Sequence, residues 1–145
     1  MTQKSLSDLA HKMRGIDIAM LSTRTDGGQI ATRPMSNNAD VDYDGNSYYF
    51  TWDRSRLVKD IERDAHVSLA FSGKPGLHGA DGLYIAVEGE AEVIRNKSEF
   101  EKHWIADLDA WFDQGADTPG LVMVKVHAER VTYWEGAEQG EIKLH

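Results

Sequence analysis

Residues 16–38 read IDIAMLSTRTDGGQIATRPMSNN, two strand-forming runs separated by Asp26-Gly27-Gly28. Asp-Gly and Gly-Gly pairs supply the positive backbone angles that a tight hairpin requires. Ile16 to Thr25 therefore reads as one strand and Gln29 to about Asn38 as its antiparallel return. A second turn signal, Asp44-Gly45-Asn46, opens a strand from Ser47 to Trp52, where Tyr48, Tyr49, Phe50 and Thr51 favour the extended state. Val67, Leu69 and Phe71 alternate in a strand from His66 to Phe71, and a glycine-rich loop, Gly73 to Gly82, leads into a long strand from about Leu83 to Ile94. Leu121 to His127 and Arg130 to Trp134 bring the census to about seven strands.

Three stretches change to a helical period. Leu6, Leu9 or Ala10, and Met13 share a face over roughly residues 3–14. Over 54–63, Leu57, Val58 and Ile61 share a face from which Arg54, Arg56, Lys59 and Arg63 are excluded. Ser98-Glu99-Phe100-Glu101 has the form of a capping box, and Phe100, Trp104, Leu108 and Trp111 continue at helical spacing until Gly115 and Pro119-Gly120. Most strand-to-strand links are too short for parallel crossovers, so the pairing is antiparallel. A mainly β fold follows, a β-barrel with short helices over its open ends, because closure removes exposed sheet edges. No repeat, low-complexity tract or proline-rich linker divides residues 1–145, which read as a single domain.

The 145 residues carry 16 Lys plus Arg against 24 Asp plus Glu, a formal charge of −8. That balance argues against nucleic acid or an anionic membrane as the main partner. It is unevenly spread: residues 1–71 hold 9 basic against 10 acidic side chains, and residues 72–145 hold 7 against 14. The absence of cysteine excludes disulfides, thiolate nucleophiles and iron–sulfur clusters. The six histidines show no ligand-type pairing, so no metal site is expected. Apolar runs such as Leu121 to Val124 reach four residues, against the roughly 20 that span a bilayer, and the amphipathic start lacks a signal-peptide core. A cytoplasmic protein is expected. Nucleophile-elbow, phosphate-loop and dinucleotide fingerprints are missing. Glu88, Glu90 and Glu92 alternate at strand spacing and read as a solvated sheet face rather than a catalytic acid pair.

Basic and hydroxyl residues gather at strand ends and at one helix start. Arg33 precedes Pro34, Thr51 ends an aromatic strand, and Ser55 and Arg56 begin the 54–63 helix. A helix N-terminus offers free backbone N–H groups and a positive dipole end, so this set can form a phosphate site. Spacing leaves a second reading open, in which Asp53 or Ser55 caps the helix and the arginines are solvated.

The order of Ala19-Met20-Leu21-Ser22-Thr23, Asp26-Gly27, Thr32-Arg33-Pro34-Met35, Tyr49-Phe50-Thr51, Ser55-Arg56, Val67 to Phe71 and Val87 to Val93 resembles the FMN-binding split barrels of the pyridoxamine 5′-phosphate oxidase superfamily. Trp111 to Pro119, Leu121 to Val126 and Tyr133-Trp134-Glu135-Gly136 resemble its general stress protein branch. The resemblance implies a homodimer of six-stranded antiparallel split barrels with FMN in clefts at the subunit interface. It implies that Arg33, Pro34, Met35 and Ser36 line the flavin, with Arg33 near the phosphate or ribityl chain. Phe50 and Thr51 would meet the isoalloxazine, Ser55 and Arg56 the phosphate, and Trp134 the flavin of the other subunit. Trp111 and Phe112 read first as a core or dimer contact, with Trp111 kept as a candidate ligand contact.

Two departures bear on function. Ser55-Arg56-Leu57 replaces the Ser-Arg-Lys of many relatives, removing one cation from the expected phosphate site. Acidic Ala137 to Glu141 stands where the true oxidases carry a basic substrate-binding segment, which argues against oxidation of a pyridoxamine phosphate. No residue presents itself as an obligatory acid or base, so no catalytic residue is named. The reading is a flavin-dependent redox protein with an unidentified small-molecule partner. Flavin storage or sensing without turnover, and an FAD- or deazaflavin-dependent reductase on the same fold, stand as alternatives.

Overall fold

A computed structural model describes residues 4–37, 43–73 and 82–144. The expected hairpin joins β1 (Ile18–Arg24) to β2 (Ile30–Ser36). Thr25 N–H donates to the Gln29 carbonyl at 2.8 Å, and Gly28 takes φ 81° at the turn. β3 (Asn46–Trp52), β4 (His66–Ser72) and β5 (Leu83–Ile94) follow the sequence reading closely. The end of the second strand at Asn38 and most of the glycine-rich loop lie outside the described residues.

The C-terminal part differs from expectation. Leu121 to Glu135 is one continuous strand, β6, and Glu138–Lys143 forms β7 back along it. The break expected after His127 is a β-bulge. Glu88 pairs Arg130 and Gly89 pairs Ala128, leaving Glu129 as the extra residue while the strand continues. Seven strands therefore replace the six implied by the resemblance, because the supposed acidic tail folds as a hairpin arm.

All pairings are antiparallel, in the order β2-β1-β4-β5-β6-β3, with β7 beside β6. One interior row runs Leu21, Leu69, Val87, Val131 through successive strands, each fully buried. Met35 of β2 and Tyr49 of β3, at opposite ends of the path, enter the same core. The sheet thus curls into a barrel, yet no pairing joins β2 to β3 among the described residues. Glu88, Glu90 and Glu92 all face solvent.

Helix α1 (Leu6–Met13) is capped by Ser5, whose side chain accepts from Asp8 N–H while the Asp8 carboxylate accepts from Ser5 N–H. It buries Leu9, Ala10 and Met13. Helix α2 (Arg56–Arg63) buries Leu57, Val58 and Ile61, together with Asp60. The third helix is shorter than its apolar spacing suggests. α3 (Lys97–His103) stops before Trp104, and a separate 3-10 turn covers Ala106–Ala110. Asn96, not Ser98, is the N-cap, because its side-chain oxygen accepts from both Ser98 N–H and Ser98 Oγ. The break lets Trp104 pack against Phe50 and Phe112, at centroid distances of 4.9 and 5.9 Å, in a second core outside the barrel. Among the described residues, no helix is long and apolar enough to cross a membrane.

Ion pairs fasten α1 to the C-terminal hairpin. Lys12 Nζ lies 2.6 Å from Glu135 Oε1, and Lys4 Nζ reaches Glu135 at 3.3 Å and Glu138 at 2.9 Å. The hydrogen bond from Lys12, followed by that from Lys4, holds the Glu135 carboxyl below its ordinary range against the opposing effect of burial. A lowered folded pKa contributes stability above the unfolded value and loses it as the pH falls through the folded one. Chemical denaturation between neutral pH and pH ~3 should therefore show Glu135→Gln losing less stability on acidification than the wild type. Parallel acid limbs in the two proteins would refute this latch.

Candidate functional site

The unjoined strands β2 and β3 border a cleft of about 710 Å³, within the range of small-molecule sites. Pro34 lies on β2, where a missing N–H is tolerated only on the side away from the paired strand, so it helps keep this edge free. Residues 31–36 form one wall, Phe50, Thr51 and Trp52 the other, and Ser55, Arg56 and Leu57 close one end. Trp111 and Phe112 reach in from beyond the 3-10 turn.

The closed end is basic. Ser55 caps α2, its Oγ accepting from Val58 N–H at 3.3 Å, so the capping reading is correct for Ser55. Capping does not remove the anion site, because Arg56 and Leu57, the first two residues of α2, border the same space. Arg33 comes from the opposite wall with its side chain 22% exposed. Burial lowers its pKa, the Asp60 carboxylate opposes that shift, and the nearby Arg56 cation adds to it. Arg33 nevertheless stays protonated at any physiological pH. Two guanidinium groups therefore repel one another across the end of the cleft, an arrangement relieved by an anion between them.

Behind Arg33 lies a network that sequence spacing did not reveal. Asp60 is 3% exposed, and its Oδ2 accepts from Thr23 Oγ1 at 2.8 Å and lies 3.7 Å from Arg33 Nη2. Arg33 Nη1 donates to Thr23 Oγ1 at 2.8 Å. The available signal was an acid three residues beyond Leu57 and directly before Ile61, on the face that α2 buries.

Nine of the ten residues singled out from sequence border this one cleft: Arg33, Pro34, Met35, Ser36, Phe50, Thr51, Ser55, Arg56 and Trp111. Trp134 does not. It stands on the outer sheet face opposite Tyr84, more than a third exposed. Leu57, at the position of the missing lysine, is 4% exposed and belongs to the barrel core. The acids of the C-terminal segment are also away from this cleft, with Glu138 bound to Lys4 and Glu141 beside Arg130. Ile18, Thr32 and Trp52 also line the cleft, although sequence patterning gave them no role. Among the described lining residues the only ionisable side chains are Arg33 and Arg56. Apart from its cationic end the cleft is thus mostly apolar and aromatic, with hydroxyls from Thr32, Ser36 and Thr51.

An antiparallel barrel left open between two strands, with a basic-ended cleft along the opening, defines a split-barrel protein. The chain belongs to the family of pyridoxamine 5′-phosphate oxidase-like proteins, whose model matches residues 4–144. It is similar to the protein bli-3 of Neurospora crassa, at 24% identity over 85% of this chain, and spans 61% of that relative's length. A Clostridium acetobutylicum protein related to general stress protein 26 of Bacillus subtilis has the same fold, with TM-score 0.82 and 17% identity over 99% of this chain and 97% of its own. A pyridoxamine 5′-phosphate oxidase-related, FMN-binding protein of Nostoc punctiforme superposes with TM-score 0.68 and 14% identity over 100% of both chains.

The aromatic pair at the rim divides into two roles. Phe112 is 6% exposed and packs on Trp52 at 5.1 Å, whereas Trp111 is 72% exposed. Phe112→Ala should cost about 3–5 kcal/mol of stability in chemical denaturation, and Trp111→Ala less than about 0.5 kcal/mol. Equal losses would mean that Trp111 is part of the core.

Proposed function

We propose that this protein binds FMN along the split and acts as a flavin-dependent redox protein of the general stress type, without oxidising pyridoxamine phosphate, as a cytoplasmic homodimer. The observation that carries this reading is the convergence of Arg33, Arg56 and the Ser55-capped start of α2 at one end of an otherwise apolar cleft. A phosphate monoester on a large planar ring system has the matching polarity. Arg33 and Arg56 would hold the phosphate, Phe50 and Met35 the ring, and Ser36 and Thr51 its polar edge. Trp52 and Trp111 would limit water at the rim. Bound flavin supplies hydride and electron transfer.

The described lining offers no carboxylate, imidazole, thiol or amine to move a proton. That favours hydride or electron transfer without a protein acid or base. It equally suits flavin storage or sensing, and steady oxidation of NADH or NADPH above free-FMN controls would exclude storage alone.

The dimer reading has its own support. Cross-strand register aligns Pro34, Met20, Ala70, Ala86 and Thr132 in one outer row, flanked by Ile18, Tyr84 and Trp134. Ile18, Met20, Tyr84 and Trp134 are each more than a third exposed. A largely apolar face of this kind marks an association surface, and Ile18 joins it to the cleft. Across a two-fold axis each subunit would present this face to its partner, within reach of the partner's cleft.

Flavin-fluorescence titration tests the ligand. Arg56→Ala should weaken FMN about tenfold or more while riboflavin changes by less than about twofold, because only FMN carries the phosphate. Absence of FMN binding by the wild type, or preference for FAD or a deazaflavin, would sink the FMN assignment. Light scattering coupled to size exclusion tests the assembly. The wild type should elute as a dimer and Met20→Lys as a monomer with weakened FMN binding, whereas a monomeric wild type would sink the dimer.

A further inference from the structure

We propose that Asp60 is a positioning residue that presets the phosphate-binding end of the cleft by holding both of its halves. The inference rests on the flavin reading above. It starts from an oddity of burial: a carboxylate 3% exposed on the core-facing side of α2 is costly unless fully engaged.

Asp60 is engaged by both oxygens. Oδ1 accepts from Arg63 Nη2 at 3.0 Å, and the same Arg63 nitrogen donates to the Arg24 carbonyl at 3.2 Å. Oδ2 accepts from Thr23 Oγ1 at 2.8 Å and lies 3.7 Å from Arg33 Nη2. Because the Thr23 hydroxyl donates to Asp60, its lone pairs face Arg33, whose Nη1 donates to it at 2.8 Å. Arg33 Nη1 also approaches the Leu21 and Ala31 carbonyls, each at 3.3 Å. The guanidinium is thus gripped from the barrel side.

The same carboxylate fixes α2 itself. α2 carries Ser55 and Arg56 at its start, so one buried acid sets the position of Arg33 on one wall and of the helix start on the other. Such preorganisation lowers the ordering cost of anion binding, which is the usual reason for rigid arginines at phosphate sites.

Coulomb's law alone makes the opposite prediction. Removing a negative charge beside Arg33 would make the cleft more positive and tighten FMN. Positioning requires that FMN weaken. Asp60→Asn nearly preserves shape, lets the new amide oxygen still accept from Thr23, and removes the charge that orders the arginines. Fluorescence titration should show Asp60→Asn binding FMN about tenfold more weakly, with riboflavin changed by less than about twofold. In an Arg33→Ala background, Asp60→Asn should cost clearly less than in the wild type, leaving only the part of its effect that runs through the start of α2.

Thr23 supplies a second arm should Asp60→Asn fail to fold. Thr23→Val removes the bridging hydroxyl and should weaken FMN selectively, and Thr23→Ser should restore it. If Arg33→Ala loses FMN while folded Asp60→Asn or Thr23→Val binds it as tightly as the wild type or tighter, the positioning role is wrong and the flavin reading stands. Parallel losses of FMN and riboflavin in Thr23→Val, unrestored in Thr23→Ser, would reduce the network to a fold tie and overturn the proposal. Wild type that binds no FMN overturns the flavin reading itself and, with it, this inference.

Discussion

Met35 on β2 and Tyr49 on β3 lie at opposite ends of the strand path, yet both are buried in one barrel core. The sheet must therefore curl far enough to share its interior between its end strands, while among the described residues no pairing joins those strands along their facing edges. Pro34 helps enforce this on β2, since its nitrogen cannot donate to a neighbour. An opening lined by two free backbone edges follows, and the basic end, the aromatic walls and the helix start are all placed relative to it. A fully closed barrel of the same strands would have no room for the cleft.

The surroundings of the opening divide the labour between two apolar clusters. The barrel core holds β1, β4, β5 and β6 in register, and α2 plugs it through Leu57 and Ile61. The outer cluster of Phe50, Phe100, Leu108 and Phe112 seats the segment after β5 against the outside of β3 and β6. Phe50 belongs to that cluster and also lines the cleft, so the wall facing a ligand is stiffened by packing behind it. On the opposite wall Met35 is seated in the barrel core, and polar contacts with Thr23 and Asp60 hold Arg33.

Much of the strand pattern was legible in the residues. The Asp26-Gly27-Gly28 turn and the alternation through β4 and β5 give elements whose ends the structure reproduces within a few residues. Misreadings arose where two local rules competed. Phe100, Trp104, Leu108 and Trp111 keep helical spacing, but the demand for Trp104 on Phe50 breaks the helix after His103. Ser98 and Glu101 satisfy a capping pattern, but Asn96 starts the helix two residues earlier, its side-chain oxygen accepting from both the Ser98 N–H and the Ser98 hydroxyl. A lost beat at Ala128-Glu129 looks like a strand end, whereas long-range pairing with β5 absorbs it as a bulge.

The candidate site shows the same division. By itself the sequence determined residue chemistry and local periodicity: an arginine beside a proline on a strand, a serine and an arginine opening a helix, and enough order among motifs to indicate a family. Those features are local in the chain, and local physics governs turns, caps and alternation. Only the tertiary structure decided that Arg33 and Arg56 face one space, that Trp134 stands on an outer sheet face, and that Asp60 is buried behind Arg33. Each of those outcomes depends on which strands become the two edges of the sheet and which way each wall faces once it curls. Both are fixed by the shared core, through contacts between residues far apart in the chain.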